Sequence, residues 1–171
     1  MTKKVLVACG VLIFSAITLS SCVRPRSEQE ATVQMDRAAP NFKLPALGGG
    51  EVSLDQYRGK IVMLDFWATW CGPCQMTMPL LEKLQREYPN DLVLLAVNLQ
   101  ESKSTVRDYV RRQDINTRVL LDEEGSVGET YGTESIPMQV LIDKSGIVRH
   151  IQIGFSPRMS SELRAEIEKL R

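Results

Sequence analysis

The sequence predicts an α/β domain in which a central mixed sheet carries helices on both faces. Two runs of apolar, β-forming residues, 61–67 and 92–98, are typical of strands buried on both faces. The segment between them, 72–88, has helical periodicity, and a strand–helix–strand unit of this kind makes its two strands parallel. A later pair of strands joined by a tight turn, within 139–153, must be antiparallel, so the sheet is mixed.

Two short extended segments precede the first buried strand. Residues 41–44 and 51–53 lie on either side of three consecutive glycines at 48–50, a combination typical of a β-hairpin. Residues 54–58 then predict a short helical turn that ends at Gly59. We therefore expect an extra N-terminal hairpin ahead of the sheet.

The predicted helix over 72–88 has one apolar stripe, which we expect to face the sheet. Met76, Leu80, Leu84 and Tyr88 follow one another at four-residue spacing, and Leu81 lies beside them. Ser102 is placed as the N-cap of the next helix, in which Val106, Tyr109 and Val110 share a face. The remaining predicted elements are a strand over 119–121, a helical turn over 127–131, and two hairpin strands over 139–142 and 147–153. A last helix follows, with Leu163, Ile167 and Leu170 on its inner face.

The composition fits one globular domain. Of the 171 residues, 43% are hydrophobic and 25% are charged, which argues against disorder. The formal net charge is zero, and nucleic-acid binding would call for a basic face. We therefore expect no nucleic-acid partner.

Residues 1–22 have the layout of a secretory signal peptide. Lys3 and Lys4 precede an apolar stretch over 5–19, which is shorter than the roughly 20 residues of a membrane span. The segment 19–22, Leu-Ser-Ser-Cys, resembles a bacterial lipobox, and this resemblance implies that Cys22 is lipidated. An ordinary cleavable signal or an uncleaved short anchor is the alternative.

A polar segment over 23–38 separates this leader from the domain. It lacks apolar periodicity and contains Pro25, which predicts a flexible linker. The folded domain is accordingly predicted over 39–171.

Of the four cysteines, only Cys71 and Cys74 lie in the predicted domain. A disulfide scaffold would need more cysteines, and zinc usually takes four ligands where this domain adds one histidine, His150. A c-type haem attachment would need histidine at position 75, which is Gln75. The pair therefore predicts redox chemistry, with no metal and no cofactor.

The two cysteines are placed for different roles. Cys71 falls at a helix N-terminus, where unpaired N–H groups and the helix dipole favour a thiolate. Cys74 lies one turn deeper and is less exposed. We therefore expect Cys71 to attack a substrate disulfide and Cys74 to resolve the mixed disulfide.

The segment 65–74, DFWATWCGPC, resembles the active site of the thioredoxin superfamily. Pro79 falls where that family carries its kinking proline, and Ile136-Pro137 resembles its cis-proline loop. The leader, the extra hairpin and the segment 98–102 resemble the membrane-anchored ResA/TlpA-like branch.

This resemblance implies a thioredoxin-like fold and a thiol–disulfide oxidoreductase. Members reduce protein disulfides in the cell envelope, often in cytochrome c or copper-site maturation. The implied location is the extracytoplasmic face of a bacterial membrane, on the periplasmic side in a Gram-negative cell. The implied partners are a disulfide-bearing protein substrate, a membrane thiol–disulfide electron donor and, through the lipid anchor, the membrane.

The sequence also departs from that branch. Some members carry a glutamate three residues after the second cysteine, a position occupied here by Thr77. Asp65 instead matches thioredoxin, which has a buried aspartate six residues before its first cysteine. Met138 follows Pro137, where thioredoxin has threonine.

Two carboxylates are acid/base candidates. Burial of Asp65 in an apolar strand would raise its pKa and suit it to take the proton of Cys74, whereas an exposed Asp65 would be structural. Glu101, a polar loop residue before a helix, is a second candidate, with solvation or capping as the alternative.

The residues around the cysteines are candidates for binding substrate. A cis bond before Pro137 would present the Ile136 backbone to an extended substrate segment. Trp70, Gly72 and Pro73 complete this predicted surface, and Trp67 is either part of it or in the core.

Two other functions remain open. Residues 39–42 and 52–54 also resemble thiol peroxidases of the peroxiredoxin kind, but those need Thr or Ser three residues before the cysteine, where Ala68 stands here. Two thiolates could instead carry Cu(I). The Gly-Pro dipeptide between the cysteines resembles reducing thioredoxins and favours a reductase.

Overall fold

The computed structural model describes residues 33–171. That part of the chain has seven strands, four helices and one 3₁₀ turn. In chain order these are β1 (Lys43–Pro45), β2 (Glu51–Ser53), the 3₁₀ turn (Leu54–Tyr57), β3 (Ile61–Trp67), α1 (Gly72–Glu87), β4 (Leu92–Leu99), α2 (Lys103–Gln113), β5 (Arg118–Asp122), α3 (Ser126–Thr130), β6 (Met138–Ile142), β7 (Val148–Ile153) and α4 (Met159–Leu170). None of the helices in residues 33–171 is long and apolar enough to cross a membrane. The predicted leader and its Cys22 lie outside the described residues.

Five strands form the central sheet in the order β5-β4-β3-β6-β7. β4 is parallel to β3 and to β5, whereas β6 is antiparallel to β3 and to β7. The predicted mixed sheet is therefore confirmed, and so is the extra hairpin, in which β1 pairs with β2. A bridge between Ala46 and Leu120 joins this hairpin to β5.

The side-chain alternation of β3 divides the core into two layers. Val62, Leu64 and Phe66 pack with the hairpin and with α3 on one face. Ile61 and Met63 point to the opposite face, where they pack with α1 and α4. β3 is buried along its whole length because both faces of the sheet are covered.

The stripe predicted for α1 is wrong at its N-terminal end. Met76 is 50% exposed and Leu80 is only partly buried. Each four-residue step overshoots a full turn by about 40°, so a strict i, i+4 series leaves the buried face. The observed buried face combines spacings of three and four residues, and its members are Cys74, Thr77, Met78, Leu81 and Leu84.

The domain begins earlier than the predicted boundary at residue 39. Val33 is buried in the core, and Ala38 forms a bridge with Ile147. The N–H of Asp36 donates to the carbonyl of Val148 at 2.8 Å, so residues 33–38 pack along the beginning of β7 rather than forming a linker. Backbone pairing of this kind leaves no apolar periodicity in the sequence. The rest of the predicted linker, 23–32, lies outside the described residues.

Candidate active site

The cysteine pair sits where β3 gives way to α1. Cys71 is the N-cap of α1, and its Sγ accepts a hydrogen bond from the Cys74 N–H at 3.2 Å. Pro73 lies in the first turn of α1, where backbone N–H groups have no intrahelical acceptor. The missing N–H of proline therefore costs the helix no hydrogen bond. Cys71 and Cys74 are joined by a disulfide. The helix N-terminus thus gives Cys71 Sγ a backbone N–H donor, and this donor and the helix dipole favour a thiolate once the bond is reduced.

The exposure of the two cysteines differs less than the sequence predicts. Cys71 is 4% exposed and Cys74 is 1% exposed, so neither is open to solvent in the disulfide form. Both belong to an apolar cluster with Trp67, Ala68 and Met78. Trp67 is therefore a core residue.

Asp65 is fully buried in β3. Its burial raises the pKa of the carboxyl to about 7, and a hydrogen bond from the side chain of Gln139 partly opposes that rise. Gln139 Nε2 donates to Asp65 Oδ1 at 2.6 Å. Strand alternation places Asp65 on the same face as Trp67, the face covered by α1. A buried carboxyl that titrates near neutral pH is suited to exchange a proton with a thiol.

Glu101 holds the loop that leads into Cys71. Its carboxylate accepts hydrogen bonds from the Thr69 N–H at 2.7 Å and from the Thr69 hydroxyl at 2.5 Å. It also accepts a bond from Nδ2 of Asn98, which is fully buried at the end of β4. These contacts favour a positioning role for Glu101 over the acid/base role considered from the sequence.

The cis-proline loop has the predicted geometry. The peptide bond between Ile136 and Pro137 is cis, and Gly154 on the neighbouring strand end donates its N–H to the Pro137 carbonyl at 2.7 Å. Ile136 is partly buried and packs against the cluster that contains Cys71. The loop and the cysteines are therefore neighbours.

An exposed rim surrounds the buried disulfide. Trp70 is 73% exposed, and Gly72 and Pro73 are also exposed. Phe155, just beyond β7, is a further exposed aromatic residue that follows directly after Gly154. The three rim residues predicted from the sequence are thus accessible to a partner.

Sequence reasoning missed Gln139, Asn98 and Thr69. Gln139 and Asn98 could have been singled out because each is a polar residue in an otherwise apolar strand, although the pairing of Gln139 with Asp65 is visible only in the folded sheet. Thr69 gave no comparable signal, because its partner is a loop carboxylate 32 residues away in the chain.

The described residues offer little to a metal ion. Within 33–171, no group of three or more His, Cys, Asp and Glu side chains is arranged to hold one. The soft donors at this site are the sulfur atoms of Cys71 and Cys74, which become available after reduction of their bond.

The sequence matches the AhpC/TSA family over residues 35–151. The chain belongs to this family. It is 32% identical to the thioredoxin-like protein YneN of Bacillus subtilis, over 98% of this chain and all of that protein. It is 38% identical to the thiol-disulfide oxidoreductase ResA of Geobacillus thermodenitrificans, over 74% of this chain and 73% of that one.

Solved structures of thiol–disulfide exchange proteins are also similar to this chain. A protein from Chlorobium tepidum, described as a candidate thiol:disulfide interchange protein DsbE, superposes with a TM-score of 0.77 at 31% identity, covering 81% of this chain and 99% of that one. The exposed lipoprotein thioredoxin of Streptococcus pneumoniae superposes with a TM-score of 0.69 at 31% identity, covering 77% of this chain and all of that one. The fold is thioredoxin-like, and the protein is a thiol–disulfide oxidoreductase of the ResA and DsbE kind.

Proposed function

We propose that this oxidoreductase works as a reductase of protein disulfides in the bacterial cell envelope. The observations that carry the proposal are the Cys71–Cys74 bond across the first turn of α1 and the buried carboxyl of Asp65, with a pKa of about 7, on the sheet face that α1 covers. The reduced pair stores two electrons and two protons. Transfer to a substrate leaves the disulfide seen in the structure and releases two substrate thiols.

In the first step, the Cys71 thiolate attacks one sulfur of the substrate disulfide. The substrate S–S bond breaks, its second sulfur leaves as a thiolate, and a mixed disulfide joins Cys71 to the substrate. The N–H groups at the start of α1 favour the thiolate form of Cys71. The exposed side of the site, at Trp70 and Pro73, is where the substrate enters.

In the second step, Cys74 resolves the mixed disulfide. Asp65 takes the proton of the Cys74 thiol, the Cys74 sulfur bonds to that of Cys71, and the substrate leaves as a thiolate. Because burial raises the pKa of Asp65 to about 7, the carboxyl can both accept and return this proton near neutral pH.

The cis-proline loop supports substrate binding. Ile136 lies outside the strand ladder that begins at Met138, so its backbone is placed to pair with an extended substrate segment beside the cysteines. Trp70, Gly72 and Pro73, which are exposed and adjoin Cys71 in the chain, complete this proposed binding surface.

The lipobox-like end of the leader supports anchoring through Cys22. One of the similar solved proteins is itself described as an exposed lipoprotein thioredoxin. An extracytoplasmic compartment is oxidising, so the protein needs re-reduction by a membrane thiol–disulfide donor. Cytochrome c or copper-site maturation is the role that this resemblance suggests.

The proposal is tested with purified protein that has been reduced and freed of reductant. We expect it to open the disulfides of a model protein substrate and to become oxidised at Cys71 and Cys74, with two substrate thiols released per molecule. Protein alkylated at both cysteines is the control. Rapid consumption of hydrogen peroxide without protein-disulfide reduction would support the thiol peroxidase. Tight Cu(I) binding without disulfide exchange would support the metal carrier.

A further inference from the structure

Two polar residues interrupt the apolar layer between the sheet and α1. Asp65 on β3 and Gln139 on β6 are direct partners in the antiparallel ladder, and both are fully buried. Ile61, Met63 and Leu141 lie on the same face, and so does Trp67. A buried polar pair of this kind is destabilising unless its hydrogen bonds are made.

The hydrogen bonds of this pair are only half made when Asp65 is a carboxylate. Gln139 Nε2 donates to Asp65 Oδ1, but Asp65 Oδ2 and Gln139 Oε1 are both buried without a partner within the described residues. Both are acceptors, so neither can satisfy the other. A proton on Oδ2 would provide the missing donor, because a carboxylic acid and an amide can form two hydrogen bonds side by side.

We propose that Gln139 is the positioning residue of the proton-transfer step, because its amide can serve Asp65 in both protonation states. Nε2 donates to the carboxylate, and Oε1 accepts from the carboxylic acid. The inference rests on the proposed role of Asp65 as the base for Cys74.

The proton movement balances in both directions of the cycle. During resolution, the Cys74 thiol gives its proton to Oδ2 of Asp65, and the new O–H group is received by Gln139 Oε1. During re-reduction, the donor thiols supply the two electrons, and Asp65 returns the proton to the Cys74 sulfur. The amide keeps the carboxyl in place through both states. The two acceptors that lack a partner beside the carboxylate, Asp65 Oδ2 and Gln139 Oε1, are satisfied by one hydrogen bond once the proton is on Oδ2.

Few other groups can influence this titration. Ala96 lies opposite Asp65 on β4, and the buried residues of α4, Met159, Leu163 and Ile167, are apolar. α1 presents one titratable buried group, Cys74, which is in the disulfide. His150 lies on the same face two strands away, on β7. Burial and the Gln139 bond are the influences on the pKa of Asp65.

The direct test is a carbon-13 NMR titration of the Asp65 carboxyl in the oxidised full-length protein, with Asp65→Asn to assign the signal. Gln139→Met removes the amide and keeps an unbranched side chain. We expect it to lower the acid dissociation constant of Asp65 by about tenfold, because the buried carboxylate loses its charge-assisted donor. Gln152→Met is the matched control, because Gln152 is the β7 partner of Gln139 and makes no bond to Asp65.

The same variants are then compared in the rate of mixed-disulfide resolution against pH. We expect Gln139→Met to move the midpoint to higher pH by the shift seen in NMR, and to have no further effect on the profile in an Asp65→Asn background. If Gln139→Met does not fold, Gln139→Asn is used, because its shorter side chain withdraws the amide from Asp65.

The outcomes separate this inference from the proposed function. An unchanged carboxyl titration in Gln139→Met would overturn the pairing, whatever the enzyme reduces. A shifted titration with an unshifted rate profile would overturn the positioning role and the use of Asp65 as base. Loss of disulfide reduction in the wild-type protein would instead refute the reductase and leave the NMR result standing.

Discussion

Asp65 is the residue whose ionisation should control how stability depends on pH. Its pKa rises from 3.8 to about 7 on folding, so the folded protein holds this proton more tightly than the unfolded chain. Between these two values the folded state binds more protons, and stability therefore falls as pH rises. Above pH 7 the folded protein carries the full penalty of a buried carboxylate.

We expect Asp65→Asn to remove this pH dependence. At pH 8 or above, the oxidised variant should have a larger free energy of unfolding than the wild type. The rise in the pKa of Asp65 from 3.8 to about 7 corresponds to a difference of about 4 kcal/mol. Well below pH 3.8 the two should be similar, because the wild-type carboxyl is then protonated in both the folded and the unfolded state. Urea unfolding at a series of pH values measures the difference. Equal stability at high pH would mean that Asp65 is not ionising in a buried site.

Single residues differ in how well the sequence predicts them. The two cysteines and Asp65 were predictable because each has a chemical type that is rare in its setting. Gln139 was missed because its importance depends on which strand lies beside β3, and that antiparallel register is a property of the folded sheet. The difference in exposure between Cys71 and Cys74 is smaller than predicted, because both pack in one apolar cluster with Trp67.

At the scale of elements, the ends of β3 and β4 are connected through Glu101. This carboxylate binds the loop before Cys71 at two atoms of Thr69 and binds Asn98 at the end of β4. The start of α1 is therefore fixed relative to the parallel strands. Side-chain bonds to charged groups are worth about 1.5–3 kcal/mol each.

We expect Glu101→Ala to destabilise the protein by roughly 2–4 kcal/mol and to slow the attack by Cys71, because the Thr69 N–H and the Asn98 amide lose their acceptor. Glu123→Ala is the control, because Glu123 accepts one exposed bond, from the Lys103 N–H at 3.2 Å; its effect should stay below about 1 kcal/mol. Denaturant unfolding and single-turnover kinetics measure both. If Glu101 were an acid/base residue, its variant would instead delete an ionisation from the pH–rate profile.

The bounds of strands and helices were predicted most accurately where the pattern of apolar residues was strong. β3 was predicted residue for residue because both of its faces are buried. The buried face of α1 was displaced because four-residue steps drift around a helix, so Met76 lies on the exposed side. The packed segment 33–38 was missed because it is held by main-chain bonds to β7.

At the scale of the whole molecule, the proposed lipid anchor is what we expect to hold this thiol–disulfide oxidoreductase at the membrane. The anchor is inferred from residues 19–22, which lie outside the described residues. We expect Cys22→Ala to abolish incorporation of a labelled fatty acid in a bacterial host, because lipid is attached through the cysteine thiol. Cys9→Ala, a cysteine change within the apolar leader, should keep the label. Equal labelling of both variants would exclude Cys22 as the lipidated residue.

The proposed reductase mechanism assigns different roles to Cys71 and Cys74, and trapping the mixed disulfide measures those roles directly. Each single serine variant is incubated with a disulfide-bonded protein and analysed without reductant. We expect Cys74→Ser to accumulate a covalent complex through Cys71, because attack proceeds and resolution cannot. Cys71→Ser should form no complex and reduce nothing. Complexes that form through Cys74 but not through Cys71 would contradict this assignment, and undiminished reduction by a variant lacking both cysteines would contradict the mechanism altogether.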